Sequence, residues 1–530
     1  MTPVSRFELV LMLMAAVVVL ELLARRLRMP PAGAFILGGI ALALIPGTPH
    51  VELDPDLVLV LFLPPLLLSG AYFTVWRDFH ANLRIILQLA IGAVAFTTAA
   101  VGIVAHWMNP ALPWAACFAL GAIVSPPDAV SAKAVLQRLS LPPRVTVLLE
   151  GESLVNDATG LVLYRFAVAA ALTGTFSAGH ALLSFGALAI GGVALGLAFG
   201  WLVSVLLTRL RDPTLSVIAG FLAAWVSYIV GDWLHVSGVL STVACGVVIG
   251  GRQHSILSAA TRSQAEAVWA VIGFILESLI FILIGLSLRN VLQRLGGNWH
   301  AMGELMPAAW AIIATVIVSR FAWILPATYI PRALIPSLRR RDPYPPLSVP
   351  IVMSWAGMRG VVSLAAALAL PEGFPGRDFI LATTFAVILV TVLVQGATLA
   401  PLIRALRLGT FIQQQASTLS EAEARARMAA AQLAEVERLS AREDQTHRHP
   451  RLVEQYNYRA RAATRFSEAA GGLIEQKREH FTVVLAAVDA GRSELLRLHS
   501  AGSIHDSVLS VLEHDLDLEE MSARRHLGEL

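Results

Sequence analysis

Charge is scarce in this sequence. Asp, Glu, Lys and Arg make up 15% of 530 residues, hydrophobic residues make up 56%, and the mean hydropathy is +0.67. A soluble globular chain carries about 25% charged residues, so that class is excluded and a polytopic membrane protein is implied. Cysteine is nearly absent: Cys117 and Cys245 are the only two, each inside an apolar run. That excludes a disulfide framework and a zinc-type ligand spacing, and leaves both as small buried apolar residues. The formal net charge of +3 says little as a total, and neither a cofactor nor a nucleic-acid partner is expected.

What is present is a succession of apolar runs. A helical span needs roughly 20 residues, and reading at that length gives thirteen segments: 7–24, 31–46, 56–75, 84–106, 114–139, 146–172, 181–208, 214–231, 235–250, 266–289, 306–331, 348–370 and 378–406. The first lacks a basic region before it and a small-residue cleavage site after it, so it reads as a retained span rather than a signal peptide. Alternate loops carry Arg25, Arg26 and Arg28; Arg77 and Arg84; Lys133, Arg138 and Arg144; Arg209 and Arg211; Arg252 and Arg262; Arg332, Arg339, Arg340 and Arg341; and Arg404 and Arg407. The opposite loops hold only Arg6, Arg289, Arg294 and Arg377. Basic residues concentrate on the cytoplasmic side, so the N-terminus is expected outside and the C-terminus inside a plasma membrane.

Composition changes near Leu408. Residues 1–407 read as the membrane domain, and 408–530, beginning EAEARARMAAAQLAEVERLSARED from Glu421, read as a helical, soluble cytoplasmic tail with a possible regulatory role. Half of the histidines lie there, among them His447, His449, His480 and His499. A pH sensor and a set of scattered solvated side chains are both compatible with that, the second being the plainer reading.

Ionisable groups at membrane depth need a partner, an aqueous path or a neutral form. Four places stand out: Asp128 in SPPDAV, Glu152 and Asp157 in GESLVNDATG, Glu277 in LESLIFILIG, and Arg359 in SWAGMRGVVS. In GESLVNDATG, Ser153 and Asp157 share one helix face, and Glu152 and Asn156 a neighbouring one. Two carboxylates, an amide and a hydroxyl suit a hard monovalent cation; imidazole and thiolate are missing. A polar seam that merely packs helices together is the competing reading.

In SPPDAV, two prolines end regular helix and free backbone groups that hydrocarbon cannot satisfy, a break tolerated only where backbone is buried in protein or lines a watery cavity. A second half-helix is expected to begin near Asp128, which would cap its amides and balance its dipole. A counterpart lies in AGMRGVVS, where glycines flank Met358 and Arg359. Paired interrupted helices in two halves of a chain point to an inverted-repeat transporter with its site where they cross. Arg359 keeps its proton and needs a carboxylate or a helix C-terminus, and Glu152 is the expected partner.

Taken together, FLPPLLLSGAY, SPPDAV, GESLVNDATGLVLY, ESLIFILIG and GMRGVVSLAAALALP, in that order, resemble the sodium/proton exchangers of the monovalent cation:proton antiporter superfamily. The bacterial branch close to animal sodium/proton exchangers is the nearest likeness, over roughly residues 10–405. The resemblance implies an all-α fold of thirteen spans in two inverted repeats, two crossed discontinuous helices, a core and a dimerisation part, a homodimer in membrane lipid, and elevator-like exchange. It makes Asp157 the ion- and proton-binding carboxylate, with Asn156 beside it, Ser153 a cation ligand, Ser125 and Pro126 supplying backbone near the ion, and Glu152 the partner of Arg359. Asp128 matches the aspartate of the family's threonine-aspartate-proline break, with the proline moved ahead of it. Glu277 is supporting rather than coordinating. Ser69 stands where relatives usually carry an acid.

The expected function is exchange of a monovalent cation, Na+ or else Li+ or K+, for H+ at Asp157, for pH and sodium homeostasis. One titrating acid beside an asparagine implies an electroneutral one-for-one cycle. A monovalent cation channel or a transport-dead ion sensor would use the same groups. An intramembrane aspartyl protease built on Asp128 and Asp157 gives the asparagine no role, and the chain is not expected to be an enzyme.

Overall fold

The computed structural model describes residues 3–27, 29–45, 55–74, 76–128, 142–174, 178–210, 212–294, 299–406, 421–441, 448–468, 474–501 and 503–528. Regular structure among them is helical. In chain order the helices are α1 Pro3–Leu27, α2 Pro31–Leu44, α3 Pro55–Phe73, α4 Trp76–Ala81, α5 Leu83–Met108 with a π turn at Gln88–Ala93, α6 Trp114–Val124, α7 Pro143–Thr173, α8 Ala178–Arg209, α9 Pro213–Trp233 and α10 Gly238–Ile256. Then come α11 Ala259–Arg294, α12 Trp299–Leu334, α13 Pro336–Arg341, α14 Ser348–Trp355, α15 Val361–Leu368, and α16 Arg377–Ala405 with a π turn at Thr391–Gln395. The chain divides into two compact units, Met1–Ile412 and Gln413–Leu530.

In the first unit, eight described helices (α1, α5, α7, α8, α9, α11, α12 and α16) are long and apolar enough to cross a membrane, and α2, α3 and α6 are shorter apolar helices. This is a multi-pass membrane protein. Local chemistry sets the ends. Proline opens α2, α7 and α9, where a missing N–H costs nothing. Asp212 and Ser237 cap α9 and α10 by accepting from Leu215 N and Leu240 N at 2.9 and 3.2 Å.

Three apolar clusters organise the helices; the largest gathers Phe62 of α3, Leu154 and Ala158 of α7, Val243 of α10, Ile284 of α11 and Leu364 of α15, and two are smaller. One gathers Val101, Leu120, Ile123, Tyr164, Ile312 and Ile380 from α5, α6, α7, α12 and α16. The other gathers Leu68, Val203, Phe221, Cys245, Ile249 and Trp269 from α3, α8, α9, α10 and α11. Val58, Ile280 and Ile284 of the α3 and α11 side meet Val361, Leu364 and Leu368 of α15 around a small apolar cavity. Cys117 and Cys245 are buried free thiols, as expected.

At the arginine-rich end, one carboxylate gathers three helices. Arg332 of α12 donates to Asp342 through Nη2, and through Nε to the Asp342 carbonyl at 3.1 Å; Arg144 Nη1 of α7 lies 2.8 Å from Oδ1 and Arg84 Nη2 of α5 lies 3.8 Å from Oδ2. Burial pushes the Asp342 carboxyl upward, but hydrogen bonding and charge from Arg144 and Arg332 outweigh it and hold its pKa below the ordinary value. A depressed folded pKa stabilises above the unfolded pKa of about 3.9 and loses that contribution as pH falls through the folded value. Asp342→Asn should therefore lower the thermal midpoint at neutral pH, by an amount equivalent to about 2 kcal/mol. In detergent-solubilised protein, the gap from wild type should close as the solution is acidified below the ordinary carboxylate range.

The second unit holds α17 Glu421–Ser440, α18 Pro450–Glu468, α19 Ile474–Ser500 and α20 Asp506–Leu527. Helices α17 and α18 pack as one hairpin and α19 and α20 as another. Arg492 of α19 reaches Asp517 and Glu520 of α20 at 2.8 and 2.6 Å, and Phe481 stacks on His526 with centroids 4.4 Å apart. Of the histidines singled out above, His449 and His480 are exposed and His499 bonds Asp506; His447 lies outside the described residues.

Candidate ion-exchange site

The site grows from the end of α6 and the interruption between α14 and α15. Regular helix ends at Val124 because Pro126 and Pro127 have no N–H, so the carbonyls of Ala122 and Ile123 lose their i+4 donors. Ser125 Oγ donates to Ala122 O at 3.2 Å and replaces one of them. Val124 O would accept from Asp128 N, but that amide instead donates 2.7 Å to Met358 O, in the interruption between α14 and α15. Arg359 Nε fills the vacancy at Val124 O, Arg359 Nη1 donates to Gly357 O, and Arg359 N donates to Thr391 Oγ1 at 3.1 Å in the π turn of α16. The two breaks thus satisfy each other's backbone. The half-helix expected after Asp128 falls in residues 129–141, outside the described residues.

Asp128 sits at the N-terminal end of α15. A methyl group at Gly360 Cα would stand 1.9 Å from Asp128 Oδ2, so the carboxylate lies directly over the residue that precedes α15, where the helix dipole favours an anion. Gly360→Ala should push the breaks apart, costing about 1–3 kcal/mol by overpacking. The check is the thermal midpoint, which an unstrained site would leave unmoved.

Helix α7 lies against this junction. Asn156 Nδ2 donates to Pro127 O at 2.8 Å, while Asn156 Oδ1 is buried with no hydrogen-bond partner among the described residues. The next residue, Asp157, is 7% exposed and within electrostatic reach of Asp128. Ser125 is buried and accepts from Thr98 Oγ1 at 3.1 Å. Ser153 is half-buried one turn before Asp157. Ser69 is half-buried on α3, next to Gly70, whose Cα faces Leu154 of α7. Glu277 is half-buried on α11.

One expected contact is corrected. Glu152, 1% exposed, does not pair with Arg359. It accepts from Arg320 of α12, Nη1 to Oε1 at 2.7 Å and Nη2 to Oε2 at 3.2 Å, and Arg320 also donates 3.0 Å to Met353 O near the end of α14. Arg359, wholly buried, takes carbonyls freed by the breaks instead. Arg320, Thr98 and Thr391 went unrecognised in the sequence. Only Arg320 left a signal there, as a lone arginine in the apolar run VIVSRFAWIL.

A buried carboxylate beside the proline end of α6 and the interruption between α14 and α15, inside a bundle of membrane-length helices, is an arrangement that secondary transporters use. The family model for the transmembrane sodium/hydrogen exchanger matches residues 11–405. The chain belongs to that family of cation/proton antiporters. It is 32% identical over 525 residues to an uncharacterized Na(+)/H(+) exchanger of Mycobacterium tuberculosis, covering 96% of this chain and 94% of the relative. It is also 34% identical over 373 residues to the sodium, potassium, lithium and rubidium/H(+) antiporter of Bacillus subtilis, covering 67% of this chain and 55% of that protein. The fold is shared with the sodium proton antiporter MjNhaP1 of Methanocaldococcus jannaschii, with a TM-score of 0.58 and 19% identity over 76% of this chain and 98% of that one.

Proposed function

We propose that this chain exchanges Na+, or else Li+ or K+, for H+ one for one across the plasma membrane, and that Asp157 is the group they compete for. The observation that carries this is the placement of Asp157: a buried carboxylate beside the unpaired Asn156 oxygen, next to the point where the end of α6 bonds the interruption between α14 and α15. A proton or a dehydrated cation neutralises it, and the helices that hold it move readily only when its charge is cancelled. Ser153, Asn156 and backbone near Ser125 complete the cation's oxygens. Asp128 balances the helix end, while Glu152, Arg320 and Arg359 fix the frame and Glu277 supports it. The wider reading is of thirteen crossings as two inverted repeats, N-terminus outside, residues 408–530 cytoplasmic and regulatory, acting as a homodimer in lipid.

Everted membrane vesicles with an imposed proton gradient test this. Adding Na+, Li+ or K+ should collapse the gradient for at least one cation; no collapse with any of them would refute the proposal. Ser69→Glu places a second acid beside α7 and should raise the apparent affinity for the transported cation. An unchanged affinity would put position 69 outside the site.

A further inference from the structure

Arg165 and Asp232 are charged residues of the membrane domain with no part in the account so far. Arg165 interrupts the apolar run GLVLYRFAVAA of α7, eight residues beyond Asp157 and so about 12 Å along the helix. At 100° per residue, Asp157, Leu161, Tyr164 and Arg165 fall on one side of α7. Asp232 is the penultimate residue of α9. A carboxylate at a helix C-terminus opposes the helix dipole, so it does nothing for α9 itself and calls for a cation from elsewhere. Arg165 supplies it: Nη2 lies 3.4 Å from Asp232 Oδ1.

The pair joins a helix of one of the smaller clusters to a helix of the other. Tyr164 and Ala167 of α7 belong to the cluster built on the broken helices, and Val217, Phe221 and Ala224 of α9 belong to the other. Among the described residues α7 and α9 make few close contacts, and both side chains of the pair are largely exposed. The pair lies away from the arginine-rich end, because Arg144 and Asp212 stand at the opposite ends of these two helices. An ion pair exposed to its surroundings is easily made and broken.

We infer that Arg165 and Asp232 form a latch that ties the Asp157 helix to α9 while the site is closed toward this face, and that the latch opens in each exchange cycle. The inference rests on the exchange reading above. With the latch closed, the guanidinium also places a fixed positive charge two turns from Asp157 on its own side of the helix, which discourages cation entry from that face.

The test uses the full chain with Arg165→Cys and Asp232→Cys together, and each alone. Cys117 and Cys245 are buried, and the single variants control for them. A short bifunctional thiosulfonate is applied to everted vesicles, cation-driven gradient collapse is read before and after, and reductant then cleaves the link. The double variant should lose exchange on linking and regain it on reduction, with both single variants unaffected. A linked protein that exchanges at its unlinked rate, or two labelled thiols that do not link, would overturn the latch. Unlinked variants that never collapse the gradient would instead overturn the exchange reading. As a second measurement, Arg165→Gln and Asp232→Asn should each shift the apparent cation affinity in one direction, roughly three-fold, with the double variant shifting no further than either. Additive shifts would mean that the two residues act independently.

Discussion

Arg320→Ala should be among the most destabilising single changes in the membrane unit, costing about 3–5 kcal/mol, because it leaves Glu152 buried and unpaired. The guanidinium satisfies both Glu152 oxygens and the Met353 carbonyl at once. Gly357 shows how closely it is held: a Cβ there would stand 2.3 Å from Arg320 Cδ. The double variant Glu152→Leu with Arg320→Met removes both charges and should recover most of the loss, since replacing a buried pair by apolar groups is often neutral or stabilising. Thermal unfolding in detergent checks this. A single variant as stable as wild type would mean that the pair does not hold α7, α12 and α14 together.

Asp157→Asn should abolish cation-driven collapse of a proton gradient in everted vesicles. The substitution keeps the shape and removes the only group of the pair Asn156 and Asp157 that can carry either a proton or a cation's counter-charge. Thermal stability should stay near the wild-type value, or rise, because a buried charge disappears. Loss of transport together with loss of the fold would point instead to a structural role for Asp157.

The breaks and the candidate carboxylate were legible because their signals are local. Pro126 and Pro127 remove N–H groups whatever surrounds them, and α6 ends at Val124 as that requires. GESLVNDATG has helical spacing, and it lies within α7. Pairing between distant segments was not legible. Spacing along α7 says that Glu152 needs a cation, and it does not say which of two intramembrane arginines crosses to it. The glycines around Arg359 mark a break and pointed to it as the partner, but carbonyls at the two breaks, Val124 O and Gly357 O, take its Nε and Nη1 instead. The bond from Asp128 N to Met358 O, and the π turn that presents Thr391 to Arg359 N, follow from tertiary packing. A hydrophobic pattern carries no trace of either.

The most direct measurement of the central claim is sodium accumulation in proteoliposomes that contain the purified chain and are preloaded at acid pH. With the membrane potential clamped, wild type should take up sodium transiently above its external concentration as protons leave, and Asp157→Asn should not. Sodium that only equilibrates in the wild type, or that accumulates equally in Asp157→Asn, would contradict exchange at this carboxylate.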